Sequence, residues 1–314
     1  MKVLLNLELE DRHVAQVRAV SDRVEVVRAG EKEEVLKAMP EVEAVFGGLS
    51  RDMFRRAERL RWVQSWGAGV DGMLTPEFVE SGVILTSAKG TVGVHLSEHA
   101  MALLLGLTRG IAHAVRRPTW ASQRPIRDGA WELIDRTMGI VGLGGTGRDL
   151  AARAHAFGMR IIAVDPEPVE VPDCVAACWR MDRFHDLLAG SDVVAVCAPL
   201  TPETEGMFDR EAFRRMRRHA LLINVTRGRI VDEAALVEAL EQGVIGGAGL
   251  DVVPQEPLPE DHPLWRMENV LITPHVAGGS PNRQDRIVGM FCENLRRLLA
   301  GEPLLGVIDK RKGY

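Results

Sequence analysis

The chain has 314 residues, of which 46% are hydrophobic and 26% charged, and it carries a formal net charge of −5 with a pI near 6.0. This length predicts two domains, and the excess of acidic over basic residues gives no electrostatic basis for binding nucleic acid. The first residues predict a strand instead of a signal peptide, no apolar run approaches a membrane span, and four cysteines without metal-ligand spacing indicate a cytoplasmic protein with reduced thiols and no metal site.

The first hundred residues alternate short apolar runs with polar stretches. Strands are predicted at VLLNLEL, VEVV, AVFGG, LRWVQSW and VILTSA, with a helix over 31–39 between two of them. Such a βα pattern predicts a parallel sheet. The next segment, SEHAMALLLGLTRGIAHAVRR, has apolar positions at helical spacing and predicts one long helix of about five turns that leaves the first domain.

A second βα series follows a polar, proline-containing stretch over 116–136. Its predicted strands are TMGIVGLG, RIIAVD, DVVAVCAP, ALLINVT, GAGLDVV and NVLITPH. A last helix, predicted over 286–300, comes after this series has ended and returns the chain to the first domain. We therefore expect an α/β fold of two Rossmann-like, doubly wound parallel-sheet domains: a discontinuous one over 1–97 and 286–314, and a nucleotide-binding one over 98–285.

The run GIVGLGGTGRD contains Gly142, Gly144 and Gly147 in the G-x-G-x-x-G spacing, between a predicted strand and a predicted helix. In that context the first glycine allows a tight turn, the second lets a pyrophosphate approach the backbone, and the third lets helix and strand pack closely. The turn, with Gly145 and Thr146, therefore predicts a dinucleotide site. A glycine-rich turn without a ligand is the structural alternative.

Asp165 ends the following strand, about 20 positions after the first glycine, where an acid typically binds the ribose hydroxyls of the adenosine. A carboxylate there repels a 2′-phosphate, and no arginine occurs in the next residues, DPEPVEVP, to neutralise one. The sequence therefore favours NAD over NADP. If Asp165 only caps a turn before Pro166, this preference disappears.

Three polar residues follow strands of the second series: Arg227, Glu256 and His275. Because ligands bind outside the carboxyl ends of the strands in open α/β sheets, we expect all three at one edge. Separately they could be a surface arginine, a loop acid between prolines and a packed edge histidine. Together they could reduce a keto acid, since a guanidinium grips a carboxylate with two hydrogen bonds, an imidazolium protonates a keto oxygen, and an acid holds the imidazole and favours its charged form.

An ordered set of motifs resembles the D-isomer-specific 2-hydroxyacid dehydrogenase family over nearly the whole chain. The motifs are SWGAGVDGM, SEHAMALLL, GIVGLGGTG, PLTPET, NVTRGRIVDEAAL, GLDV followed by Glu256, and TPHVAG. The resemblance implies that Arg227 binds the substrate, that Glu256 tunes His275, and that His275 is the acid/base. It further implies a small 2-keto or (R)-2-hydroxy acid as substrate, and a homodimer joined through the nucleotide domains around the long helix.

The resemblance also assigns further contacts. The loop of Gly67, Ala68, Gly69 and Val70 would bind the substrate carboxylate through backbone N–H groups, which form anion-binding concavities; a simple turn is the alternative. Trp120 and Trp131 could shape a substrate pocket, or serve core or dimer packing. The further cofactor contacts, besides Arg227 and His275, would be Ala198, Pro199, Val225, Thr226, Asp251 and Gly278.

Other functions on this scaffold stay open at this point. An NAD(H)-sensing corepressor-like binding protein would not need the intact Arg, Glu and His set. A formate dehydrogenase is expected to have Gln where Glu256 stands, whereas phosphite oxidation is compatible with the three residues. Glyoxylate, hydroxypyruvate, pyruvate, phosphohydroxypyruvate and bulkier keto acids all share the groups that these residues would bind, so the sequence leaves the substrate undefined.

Overall fold

Short apolar runs form the parallel sheet of the first unit in a computed structural model that describes residues 1–28 and 30–314. The five strands are parallel and lie in the order β2-β1-β3-β4-β5. These strands are β1 Lys2–Asn6, β2 Glu25–Arg28, β3 Ala44–Gly47, β4 Trp62–Gln64 and β5 Ile84–Thr86. The helices between them are α1 Asp11–Arg18, α2 Lys32–Ala38, α3 Arg51–Arg56 and α4 Pro76–Val79.

The second unit is built on seven parallel strands in the order β12-β11-β10-β9-β6-β7-β8. Its strands are β6 Thr137–Val141, β7 Arg160–Val164, β8 Val175–Trp179, β9 Val193–Val196, β10 Leu221–Asn224, β11 Gly247–Leu250 and β12 Val270–Ile272. Its helices are α5 Gly93–Thr108, α6 Ile111–Arg116, α7 Gln123–Gly129, α8 Gly145–Ala156, α9 Phe184–Gly190, α10 Arg210–Arg215 and α11 Glu233–Glu241. The central strands are wholly buried because helices cover both faces of the sheet. The strand order reverses between β6 and β9, which is where ligands bind in doubly wound sheets.

The last helix, α12 Arg283–Ala300, returns the chain to the first unit. Phe291 on this helix stacks on Phe46 of β3, at 4.2 Å between ring centroids, and on Trp62 of β4, at 4.8 Å. Near the start of α12, Asp285 lies 2.7 Å from the buried ring of His13 on α1. The helix therefore completes the core of a discontinuous unit, as the predicted fold class requires.

The two compact units comprise 1–92 with 280–314, and 93–279. Each boundary lies a few residues before the one that the sequence suggested. The physical reasons are close contacts. Gly93 packs so tightly against α8 that an added Cβ would lie 2.2 Å from the Asp149 side chain, so α5 belongs to the second unit from its first residue. Asp285 belongs to the first unit because its carboxylate binds His13.

Two details of the predicted elements were wrong. The single long helix is divided into α5 and α6 at Gly110, whose φ of +67° lies in the left-handed region that ends or interrupts helices. Strand β8, with the sequence VAACW, was missed. It lies at the sheet edge beside β7, and its mostly small, half-exposed residues give little apolar signal.

A buried carboxylate holds the amino ends of the central strands of the second unit. Asp192 accepts hydrogen bonds from the Thr137 amide at 2.8 Å and from Arg217 at 2.8 Å, and it lies 2.6 Å from the ring of His219. Burial alone would raise the pKa of Asp192, but these hydrogen bonds outweigh that effect and the pKa is lowered. The charged form of this carboxylate therefore stabilises the sheet.

None of the helices formed by residues 1–28 and 30–314 combines the length and the apolar character that a membrane crossing requires. Within the same described residues, no group of three or more His, Cys, Asp or Glu side chains could hold a metal ion. The four cysteines are free thiols.

Candidate active site

The glycine turn lies at the point where the strand order reverses, between β6 and α8. Gly142 has a φ of +95°, and a Cβ there would come within 2.9 Å of the Ala198 backbone after β9. A Cβ on Gly147 would lie 2.2 Å from the Gly142 carbonyl oxygen, whereas one on Gly144 would meet no atom within 4 Å. The first and third glycines thus allow close backbone packing, and the second leaves open space at the amino end of α8. This cradle fits a dinucleotide pyrophosphate.

Asp165 follows β7 beside this turn and is only 8% exposed. One carboxylate oxygen accepts a hydrogen bond from the Leu143 amide in the glycine turn at 2.8 Å, and the other accepts one from the Glu167 amide at 2.9 Å. The side chain therefore fixes the glycine turn as well as capping its own turn. Arg180, distant in sequence, donates to the Pro166 carbonyl at 2.6 Å and brings a cation to this turn.

Asn224, the last residue of β10, builds the turn that carries Arg227. Its fully buried side chain donates to the Arg227 carbonyl at 3.0 Å and accepts from the Thr226 amide at 3.1 Å. The next residue, Gly228, lies against the β11 loop, where an added Cβ would be 1.9 Å from the Val253 backbone. Only glycine allows these two loops to approach so closely, and this approach positions Arg227.

His275 is not a packed edge histidine, since half of its side chain is exposed. Its Nδ1 lies 2.7 Å from one oxygen of Glu256, and the other oxygen accepts a hydrogen bond from the Val253 amide at 3.1 Å. The backbone of His275 has a φ of +53°, a left-handed conformation that is uncommon for residues other than glycine and is often found at functional sites. Its amide donates to the Asp251 carbonyl at 2.8 Å, which extends the contacts of β11 with β12 beyond the strand ends.

The loop that carries His275 is held by the buried carboxylate of Asp251. This carboxylate accepts hydrogen bonds from the Thr273 hydroxyl at 2.6 Å and from the Val276 and Ala277 amides at 2.9 and 2.8 Å. His99 of α5 adds a contact of 2.7 Å to the same hydroxyl. The loop after β12 is therefore fixed to two neighbouring elements.

These contacts connect two of the predicted catalytic groups and the turn of the third. Arg227 precedes the glycine that packs on Val253, the Val253 amide binds Glu256, and Glu256 binds His275. The three residues follow the adjacent strands β10, β11 and β12, at one edge of the sheet. This edge combines a guanidinium with a carboxylate–imidazole pair beside a dinucleotide cradle.

A family model described as "D-isomer specific 2-hydroxyacid dehydrogenase, NAD binding domain" matches residues 101–277. The chain belongs to this family. A glyoxylate reductase of Korarchaeum cryptofilum is 37% identical over 258 residues, which cover 81% of this chain and 77% of that protein. A D-3-phosphoglycerate dehydrogenase of Methanocaldococcus jannaschii is 32% identical over 317 residues, covering 98% of this chain but only 59% of that protein.

A solved structure gives a comparison over the whole length of the chain. The NADPH-dependent glyoxylate/hydroxypyruvate reductase of Sinorhizobium meliloti, in complex with NADP and sulfate, has a TM-score of 0.83 and 29% identity, and the match covers 100% of this chain and 99% of that one. The resemblance read from the motifs is thus confirmed, as is the fold of two parallel-sheet α/β units. The family and these relatives support an NAD(P)-dependent 2-hydroxyacid oxidoreductase.

The remaining predicted cofactor positions lie around the same edge of the second unit. Ala198 and Pro199 follow β9, and the Ala198 backbone lies against Gly142 of the glycine turn. The others belong to the turns that carry the catalytic candidates: Val225 and Thr226 precede Arg227, and Gly278 follows the loop fixed by Asp251. Their contacts with a dinucleotide stay predictions.

The predicted substrate loop lies in the first unit, after β4. Its first residue, Gly67, is held by hydrogen bonds from its amide to Ser65 at 3.2 Å and from the Ala88 amide to its carbonyl at 3.0 Å. Over the part of the chain that the structure describes, no group accepts a hydrogen bond from the amides of Ala68 or Gly69. Those two N–H groups are therefore available to an anion.

The two tryptophans singled out in the sequence differ in exposure. Trp131 packs partly against the core of the second unit, with Arg136 over its ring at 5.2 Å. Trp120 is 89% exposed. Core packing thus accounts for Trp131, while a pocket or interface role for Trp120 stays a prediction.

Sequence reasoning did not identify Asn224, Thr273 or His99. The first gave a weak signal as a polar residue that ends an apolar strand. The other two acquire a role only through tertiary contact, because they are 174 positions apart in sequence. Next to the switch point, burial raises the pKa of the Cys197 thiol to about 12, which disfavours the reactive thiolate form.

Proposed function

We propose that the protein is an NAD-dependent dehydrogenase that interconverts a small 2-keto acid and the corresponding (R)-2-hydroxy acid. The observation that carries this proposal is the 2.7 Å contact between Glu256 and a half-exposed His275, at the same sheet edge as the Arg227 turn. A packed histidine or a surface arginine would not need this arrangement. The family membership of the chain supports the same reaction class.

In the reductive direction, each of the three side chains has one role. Arg227 binds the substrate carboxylate through its guanidinium, whose planar pair of N–H groups matches two carboxylate oxygens. The Nδ1–H of His275 donates to Glu256, which fixes the orientation of the ring and leaves Nε2 to give a proton to the keto oxygen. NADH, when bound, supplies the hydride to C2.

Residues of the second unit would hold the dinucleotide. The open space at Gly144 and the amino end of α8 fit its pyrophosphate, and Asp165 at the end of β7 fits the adenosine ribose. In the first unit, the Ala68 and Gly69 amides are the proposed anion-binding groups of the substrate loop.

NAD is the proposed cofactor because Asp165 is a buried carboxylate that would repel a 2′-phosphate, and Glu167 and Glu170 follow it closely. Two observations favour NADP instead. Arg180 donates to the Pro166 carbonyl and so brings a cation beside Asp165, and the Sinorhizobium meliloti structure contains NADP. Steady-state assays with NADH and NADPH decide between the two. A kcat/KM at least as high with NADPH would overturn the choice of NAD.

The reaction itself is tested by NADH oxidation over a panel of 2-keto acids. We expect turnover with at least one of them, and a loss of about 10² to 10⁴-fold in His275→Ala, the usual contribution of a proton-transfer group. NADH binding, followed by its fluorescence, should survive in this variant. The matched control is His185→Ala, which removes an imidazole on α9, far from His275 in sequence, and should leave turnover unchanged. Unchanged turnover in His275→Ala would refute the assignment.

A corepressor-like sensor would give a different result: NADH-dependent assembly with no turnover of any keto acid. The intact Arg227, Glu256 and His275 set and the enzymatic relatives do not favour this alternative.

A homodimer joined through the second unit is the proposed assembly. Large apolar side chains on α6 and just after it are strongly exposed: Ile111 at 54%, Val115 at 74% and Trp120 at 89%. Large apolar side chains exposed close together in sequence are typical of an interface when they share one face. Light scattering of the purified protein checks this assembly, and Val115→Asp should shift the dimer towards monomer. A monomer in the unmodified protein would overturn it.

A further inference from the structure

Arg283, the first residue of α12, lies over an aromatic ring in the first unit. Its guanidinium carbon is 5.2 Å from the centroid of Trp66, the residue that precedes the Gly67 loop. Both side chains are half-buried. A guanidinium in this position is held flat on the indole by a cation–π contact, which fixes it beside the loop without using its N–H groups.

No described carboxylate pairs with the charge of Arg283. Across residues 1–28 and 30–314, no carboxylate lies within 4.0 Å of its guanidinium, and its Nε is buried without a hydrogen-bond partner. Burial lowers the pKa of this arginine, and no neighbouring acid opposes the effect. An anion that the terminal N–H groups of this guanidinium can reach would stabilise the half-buried cation.

Two other arginine–tryptophan contacts among the described residues do have a carboxylate near the guanidinium. Arg136 lies over Trp131 and also reaches a carboxylate, that of Asp192, at 3.9 Å. Arg183 lies over Trp179 and pairs with Asp186. In those two cases an acid of the protein satisfies the cation, whereas at Arg283 the position of the acid is open.

We propose that Arg283, stacked on Trp66, is a specificity-determining residue that binds a second anionic group at the far end of the substrate. The substrate class is then a 2-keto acid with a distal carboxylate or phosphate. This inference rests on the proposed function, in which the Ala68 and Gly69 amides of the same unit bind an anionic group of the substrate. The guanidinium of Arg283, stacked on the tryptophan that precedes this loop, is then available to a second anionic group of the same substrate.

Matched substrate pairs test the proposal. Two pairs have the same number of carbons and differ in the distal carboxylate: 2-oxoglutarate with 2-oxopentanoate, and oxaloacetate with 2-oxobutanoate. The third pair, phosphohydroxypyruvate with hydroxypyruvate, differs by a distal phosphate. We expect the unmodified enzyme to prefer the charged member of at least one pair. Arg283→Gln should lower kcat/KM for that member by about 10- to 100-fold, the usual value of a charge-assisted hydrogen bond, and change the neutral member by less than about threefold.

Two further variants separate binding from structure. Arg283→Lys keeps the charge and should retain part of the preference for the charged member. Arg286→Gln removes an exposed arginine from the same helix and should leave kcat/KM unchanged for both members. The pair whose charged member loses kcat/KM in Arg283→Gln shows whether the bound group is a carboxylate or a phosphate. Equal losses for both members of every pair, or no loss for either, would overturn the proposal, because the guanidinium would then serve the shared carboxylate or only the packing.

Calorimetry keeps this test independent of catalysis. The protein loaded with NAD⁺, which cannot donate hydride, is titrated with each member of the three pairs. If no keto acid is turned over, the proposed reaction is refuted, and the titration alone then shows whether Arg283 binds an anion. Tighter binding of a charged member that Arg283→Gln abolishes would support the anion site, and equal binding in both proteins would exclude it.

Discussion

Two glycines of the same turn should respond in opposite ways to an added methyl group. At Gly147 the Cβ of an alanine would lie 2.2 Å from the Gly142 carbonyl oxygen and 3.2 Å from the Ile140 side chain. At Gly144 it would meet no atom within 4 Å, and the φ of −75° suits any residue. Gly147→Ala therefore tests packing, and Gly144→Ala tests the space that a dinucleotide would use.

The magnitude for Gly147→Ala follows from the contact distance. Carbon–oxygen contacts lie at about 3.3 Å or more, so α8 would have to move by about 1 Å from the turn. The neighbour is a backbone oxygen that cannot rotate away, which places the cost near the upper end of the roughly 1–3 kcal/mol for overpacking. Alanine regains about 1 kcal/mol of helix propensity. The net loss of about 2 kcal/mol should lower the melting temperature by roughly 4–8 °C.

Gly144→Ala should leave folding intact, because a glycine-to-alanine change at a compatible φ stabilises by about 0.4–1 kcal/mol. We expect its NADH affinity to fall by at least about tenfold, since the methyl group would occupy the space that lets the pyrophosphate approach the backbone. Thermal unfolding and NADH fluorescence titration measure both variants. A Gly147→Ala protein as stable as the original, or a Gly144→Ala protein with unchanged NADH affinity, would refute this reasoning.

Two further predictions concern buried carboxylates. Asp192→Asn should destabilise the protein by about 1–3 kcal/mol at neutral pH, because hydrogen bonds to a charged group are lost. Since the pKa of Asp192 is lowered in the folded protein, this difference should be constant above pH 3.8 and should shrink only as the pH falls below that value, as denaturant unfolding at several pH values will show. Asp251→Asn should place an amide donor against the Val276 or Ala277 amide and release the His275 loop, so turnover should fall more than NADH affinity.

The same substitution at Asp232 is the control for both. That side chain caps α11 and accepts a single hydrogen bond, from the Ala235 amide at 3.0 Å, so the asparagine variant should lose less than about 1 kcal/mol. A flat difference down to the lowest pH for Asp192→Asn, or equal losses of turnover and NADH affinity for Asp251→Asn, would contradict the respective argument.

Local patterns in the sequence were sufficient for most of the architecture. Strand and helix periodicity predicted two parallel-sheet units, and glycine spacing predicted the turn at Gly142, Gly144 and Gly147. These features are set by a few adjacent residues, so they can be read without knowing the contacts. Where a short signal was ambiguous, as at Gly110 within an apolar helical run or in the edge strand β8, the prediction failed.

The sequence also determined which chemical groups follow the strands, since Arg227, Glu256 and His275 each stand just past an apolar run. Only the tertiary structure decided how they are used. The outward position of His275, its contact with Glu256, the support from His99 and the unpaired charge of Arg283 beside Trp66 all depend on residues far apart along the chain. The physical reason is that strand formation depends on neighbouring residues, whereas the pairing of a buried charge depends on whichever groups folding brings within a few ångströms of it.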